Sequence, residues 1–163
     1  MLTASHIVVG TAAGVLCKRA WVAVPVAFIS HFVLDQIPHS CFNMIEDQTG
    51  INGVLIYAGM VLSFAVAAWA ISLAWRLPTR WVSIAAAIAA FLPDPLCYQQ
   101  PINQWFAMLP GSNFVPWAHA FHCDVTKSNP TLGFITQVVV VGIGLYYLSR
   151  TLVNRRRISC EKV

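Results

Sequence analysis

No charged residue interrupts the chain between Ile51 and Trp75. The stretch reads INGVLIYAGMVLSFAVAAWAISLAW, and a membrane-crossing helix needs about 20 predominantly apolar residues. A second run, Thr131 to Ser149 (TLGFITQVVVVGIGLYYLS), meets the same requirement. Composition points the same way. Of 163 residues, 58% are hydrophobic and only 10% charged, with a mean hydropathy of +0.67. Soluble domains carry about a quarter charged residues. The expectation is therefore a membrane protein forming a single domain over residues 1–163.

Three further segments are apolar but short: Leu2–Cys17, Trp21–Ile37 and Trp81–Leu92. Each fits either a tilted span or a helix packed inside a bundle. Thr3 or Ser5 is expected to cap the first, Pro38 to end the second and Pro93 the fourth. No useful strand alternation, repeat or low-complexity tract interrupts this pattern. The predicted fold class is all-α, a polytopic membrane bundle of about five helices. The N-terminus does not read as a secretory signal, because Lys18 and Arg19 follow the first apolar run rather than precede it.

Charge orients the bundle. With five spans and the N-terminus outside, the cytoplasmic pieces are the Lys18–Arg19 turn, the turn with Arg76 and Arg80, and a basic tail over about 150–163. They hold nine of the ten basic residues, all except Lys127. Such a bias is the positive-inside pattern, and it places the chain in a cytoplasmic (inner) membrane with the C-terminus inside. In that topology all five histidines, His6, His31, His39, His119 and His122, fall on the outer side. So do five of the six acidic residues, among them Asp35 and Asp94. The metal-competent side chains thus gather at one end of the bundle and the cations at the other.

The segment SHFVLDQIPH carries the densest chemistry. His31 and Asp35 are four apart and share a helix face, and His39 continues that direction beyond Pro38. A His-x-x-x-Asp pair chelates a divalent ion, or its carboxylate orients the imidazole toward one. Taken singly, His39 and Asp35 also fit helix-end residues and His31 an interior histidine. Taken as a triple at membrane depth, they are candidates for function. His119 and His122, in PWAHAFHCD, form a second pair on one helical face. They stand among Trp105, Phe106, Phe114, Trp117 and Phe121, aromatics that suit an interfacial belt. Asp94, in FLPDPL, fits a turn residue or a metal bridge. His6 gains weight from lying on the same side.

Nitrogen and carboxylate donors suit zinc first, with manganese or iron also compatible. Seven candidates, His6, His31, Asp35, His39, Asp94, His119 and His122, exceed the ligands of one zinc ion. One ion with helper residues and a binuclear centre both remain open, and either can activate water for hydrolysis. Walker, GxGxxG, HExxH and serine-elbow motifs are absent from the sequence. Five scattered cysteines, without a CxxC, read as small apolar residues rather than a disulfide framework. The basic tail reads as a topology anchor, with no nucleic-acid partner expected.

The order LTASHIVVG, SHFVLDQIPH, LPD after an apolar helix and a late paired histidine resembles the YdjM-type membrane-bound metal-dependent hydrolases. The His-x-x-x-Asp…His element is also distantly similar to the zinc-dependent phospholipase C group. The resemblance implies that His6, His31, Asp35, His39 and Asp94 sit at metal-site positions, with His122 and less directly His119 at a late one. It implies a metal-dependent hydrolase in the inner membrane. An Asp-x-Asp-His after LPD and an HRGxTH-like segment, common in that family, do not occur here; Pro95, Leu96 and Cys97 follow Asp94.

The resulting expectation is a phosphoester hydrolase acting on a lipid or lipid-linked substrate in the bilayer. Metal-activated water would attack, with Asp35 or Asp94 as ligand or general base. The alternatives are a non-enzymatic metal-binding protein and a structural or regulatory one whose metal staples the bundle.

Overall fold

The computed structural model describes residues 3–36, 51–94, 108 and 130–160, with side chains outside the description at 51–56, 130–133 and 159–160. All five regular elements among these residues are helices: α1 (Thr3–Cys17), α2 (Ala20–Asp35), α3 (Ile51–Trp75), α4 (Arg80–Phe91) and α5 (Pro130–Cys160).

Length separates them into two kinds. At 1.5 Å per residue, α1, α2 and α4 rise only about 18–24 Å, less than the ~30 Å of a bilayer's hydrocarbon. Within α3 and α5, the segments Tyr57–Trp75 and Phe134–Ile158 are long and apolar enough to cross a membrane, and most of each faces outward. Among the described residues, these are the two helices that reach that length.

α1 lies at the centre and touches the other four. Its closeness to α4 depends on having no side chain at two positions. A Cβ on Gly10 would stand 2.7 Å from both the Ala86 carbonyl oxygen and Ala90 Cβ. A Cβ on Gly14 would run into Ser83 Cα and lie 2.9 Å from the Val82 carbonyl oxygen. These obstacles are mostly backbone and cannot rotate away. The neighbouring core is correspondingly small-sided: Ala23 and Ala27 of α2 meet Ala86, Ala89 and Ala90 of α4. Cys17 packs at its margin as a free thiol.

On the other side of α1, Val8 and Val15 join Ala70 and Leu77 with Leu148 and Leu152 of α5. The buried stripe of α3 runs Ser63, Ala67, Ala70 and Ala74, spaced four, three and four, as one helical face requires.

The helix ends refine two sequence expectations. Ser5 does not cap α1. It lies inside the helix and is fully buried. The amide of Ala4, an orphan donor of the first turn, instead donates to Ser63 Oγ of α3 at 2.8 Å. Within the basic tail expected over about 150–163, α5 continues unbroken through Arg155–Arg157 to Cys160. No glycine or proline follows Gly144, Leu152 is buried in the core, and Arg157 in the last turn complements the helix dipole.

The two turns at the opposite end are tight. Lys18 adopts a left-handed conformation, φ 59°, and its amide donates to the Gly14 carbonyl. Two residues thereby reverse the chain between α1 and α2.

Candidate metal centre

Each helix delivers its polar group for a local reason. His6 is one turn into α1, on the central helix, and is fully buried. His31 and Asp35 occupy the last turns of α2 on one face, 1% and 2% exposed. Asp94 follows α4 directly after Pro93 and keeps 22% of its side chain open to solvent. Their convergence depends on the close α1–α4 approach described above.

The distances define one cluster. His31 Nε2 lies 3.0 Å from Asp35 Oδ2 and 3.6 Å from Asp94 Oδ1, and His6 Nε2 lies 3.4 Å from Asp35 Oδ1. The His6 and His31 rings stack with centroids 4.1 Å apart. One donor atom each from His6, His31 and Asp94 falls within 4.8 Å of the others, a group able to hold a metal ion.

Protonation narrows what this cluster can be. His31 Nδ1 sits 2.8 Å from the Ala90 carbonyl oxygen in the last turn of α4. A carbonyl only accepts, so Nδ1 carries the proton, and in a neutral ring Nε2 then carries a lone pair. That lone pair confronts carboxylate oxygens at 3.0 and 3.6 Å. Acceptors at such distances need a positive centre between them, either a further proton on the ring or a cation. With both imidazoles neutral and both carboxylates ionised, the four side chains carry a formal charge of about −2, matched by one divalent ion. Backbone fixing of the distal ring nitrogen is also how protein metal sites orient a histidine ligand. The donor set therefore fits zinc, manganese or iron, and its chemistry does not choose among them.

Of the seven sequence candidates, the structure brings together His6, His31, Asp35 and Asp94. His39, His119 and His122 lie outside the described residues, so the number of ions the whole chain holds is open. Two further buried polar residues, Ser63 and Gln137, were not among the sequence candidates for the site. Ser63 ties α3 to the start of α1, one turn or less from His6. Gln137 continues the α5 face of partly buried Val141 and buried Gly144, Leu148 and Leu152, and is 3% exposed. The signal for both was available in principle: a polar side chain recurring in phase with an otherwise apolar stripe.

The fold and the cluster define a helical bundle with a His/His/Asp group competent for a metal ion. No family description, curated protein or solved structure matches the chain.

Proposed function

We propose that this chain is a multi-pass inner-membrane protein, with its N-terminus outside, that uses a divalent ion at His6, His31, Asp35 and Asp94 to hydrolyse a phosphoester of a lipid or lipid-linked substrate. The observation that carries the metal is the convergence of one donor atom each from His6, His31 and Asp94 to within 4.8 Å of one another. The resemblance of LTASHIVVG and SHFVLDQIPH to the YdjM-type hydrolases supports the reaction class. When bound, such an ion supplies an activated water and polarises the phosphoryl oxygen.

The residues around it have distinct tasks. The Ala90 carbonyl holds the His31 ring in one tautomer and orientation. Asp35 reaches both imidazoles, His31 at 3.0 Å and His6 at 3.4 Å, and so positions them together. Asp94, the member with solvent exposure, is placed to accept a proton from water at the mouth of the site. The low-dielectric surroundings strengthen every charge interaction there.

A second reading draws on the burial of three of the four groups. An ion enclosed by His6, His31 and Asp35 can serve as a staple between α1 and α2 without turnover.

One experiment separates the readings. Metal content and hydrolysis of a chromogenic phosphodiester are measured on detergent-purified protein, beside Asp35→Asn and Asp94→Asn. The hydrolase reading expects near-stoichiometric metal and turnover in the wild type. It expects both to fall in Asp35→Asn, and turnover to fall further than metal in Asp94→Asn. Tight metal without turnover on phosphoester substrates, with unfolding on chelation, favours the staple. No metal after remetallation removes both.

A further inference from the structure

The second half of α2 has two faces. Ala27, His31 and Asp35, spaced by four, are buried and share one of them. Val26, Ile29, Ser30 and Val33 fall on the neighbouring face, where the three apolar groups are exposed. With Leu34 and with Val9 of α1 they line an open groove of about 420 Å³. We propose that this groove seats one acyl chain of the lipid substrate while the phosphoester reaches the His/Asp cluster. The inference deepens the hydrolase reading above and rests on it.

Three observations select that occupant. First, the groove offers nothing to a polar ligand. Ser30, the one polar residue in its lining, donates its hydroxyl to the Ala27 carbonyl oxygen of its own helix at 2.7 Å. The lining surface is apolar throughout.

Second, the groove is continuous with the site. Val33 and Leu34 share the last turn of α2 with Asp35, and Val9 stands one turn along α1 from His6. One end of the groove therefore lies at the level of the cluster. From there it follows α2 back to Val26, about 12 Å at 1.5 Å per residue. Half of a bilayer's hydrocarbon is about 15 Å deep. In the topology proposed above, the groove thus runs from an outer-surface site through most of the outer leaflet, as an acyl chain does.

Third, its width suits a chain rather than a protein element. A volume of about 420 Å³ over about 12 Å leaves a cross-section of about 35 Å², against about 80 Å² for a helix some 10 Å across. In a bilayer the chain leaves other lipid rather than water, so the groove acts through close packing and not through the hydrophobic effect. Its use is positional, since a chain fixed along α2 limits where the ester it carries can go. The preference it gives is therefore expected to be several-fold.

The test is photolabelling of the full chain in phosphatidylcholine nanodiscs. The probe is phosphatidylglycerol with a diazirine in one acyl chain, and labelled positions are mapped by mass spectrometry. Labelling between Val26 and Leu34 is expected to exceed that on the outward faces of α3 and α5 several-fold, and to be competed by unlabelled phosphatidylglycerol. Ser30→Trp fills the groove, and Ile29→Asn/Val33→Asn makes it polar at exposed positions. Each is expected to remove the excess on α2 and to leave the labelling of α3 and α5.

Equal labelling of the three helices, the pattern of ordinary boundary lipid, overturns the proposal. So does an excess that survives both variants. Unlabelled α2 beside labelled α3 and α5 also overturns it, and assigns the groove to a protein segment or a second copy of the chain. Turnover on the same samples keeps the two readings apart. The ratio of turnover on a diacyl glycerophospholipid to that on the tailless chromogenic phosphodiester is expected to fall several-fold in both variants, and an unchanged ratio overturns the positional role. Turnover of neither ester by the wild type removes the hydrolase reading, while saturable labelling of α2 still supports an acyl-chain site.

Discussion

The two halves of this bundle differ in what they bury against α1 and in what they turn outward. Around α2 and α4, the shorter helices press against α1 through glycine, alanine and serine, with almost no side chain between backbones. Around α3 and α5, the long helices meet Val8 and Val15 of α1 with the alanine stripe of α3 and with Leu148 and Leu152 of α5, and turn large apolar groups outward, including Val61, Phe64, Val139 and Ile143. The described histidines and carboxylates all belong to α1, α2 and the segment closing α4. Rigid, close backbones hold the polar cluster, while the long helices present an apolar exterior. Positioning four polar groups within ångströms of one another calls for the first kind of packing, because small residues leave little room for adjustment.

The sharpest way to break this contrast is to add a side chain to each half. Gly14→Leu is expected to cost about 3 kcal/mol or more, because the new atoms meet backbone that must move. Gly142→Leu on α5, where a Cβ meets nothing within 4 Å, is expected to stay within about 0.5 kcal/mol. Thermal unfolding in detergent compares them, and equal effects would show that the close α1–α4 approach is wrong.

Next in size is His31→Ala, which removes a donor and its anchor on Ala90. Metal affinity is expected to drop roughly 100-fold, at the upper end of what loss of a ligand-orienting partner costs. A chelator competition titration reads the change. An unaltered affinity would move the ion away from α2.

Ser63→Ala probes the bond that joins the two halves. It leaves the buried Ala4 amide without its acceptor, an expected loss of about 1–3 kcal/mol. Unfolding measurements on the variant check it, and a neutral result would mean that the amide finds another acceptor. The smallest effect belongs to Lys18→Gly in the α1–α2 turn. Relief of the left-handed side-chain clash is worth about 1–2 kcal/mol per residue, and the greater freedom of glycine in the unfolded chain offsets about 0.4–1 kcal/mol of it. A gain in melting temperature of at most a few degrees is expected, and a loss would argue against φ 59° at this position.

Much of this arrangement can be read from the residues. The bounds Ile51–Trp75 coincide with α3, since an uninterrupted apolar run leaves little choice. His6, His31, Asp35 and Asp94 were all recognisable as candidates, because rare ionisable groups in an apolar chain stand out and charge bias places them on one side. The end of α5 was not legible, since arginines end a hydropathy signal without ending a helix. The central place of α1 was also hidden. It depends on Gly10 and Gly14 facing Ala86, Ala90 and Ser83, a fit between two surfaces that no single segment displays. The same holds for Ser63, whose partner is an amide fifty-nine positions away.

The two-residue reversal at Lys18–Arg19 also sets a timetable. A chain made from its N-terminus acquires His6, His31 and Asp35 with the first hairpin, whereas Asp94 arrives only after α4 has seated against the glycines of α1. Three donors thus exist as an early, incomplete nest, and the fourth closes it. A nascent chain stalled before α4 therefore lacks the Asp94 carboxylate that completes the His6, His31 and Asp94 group.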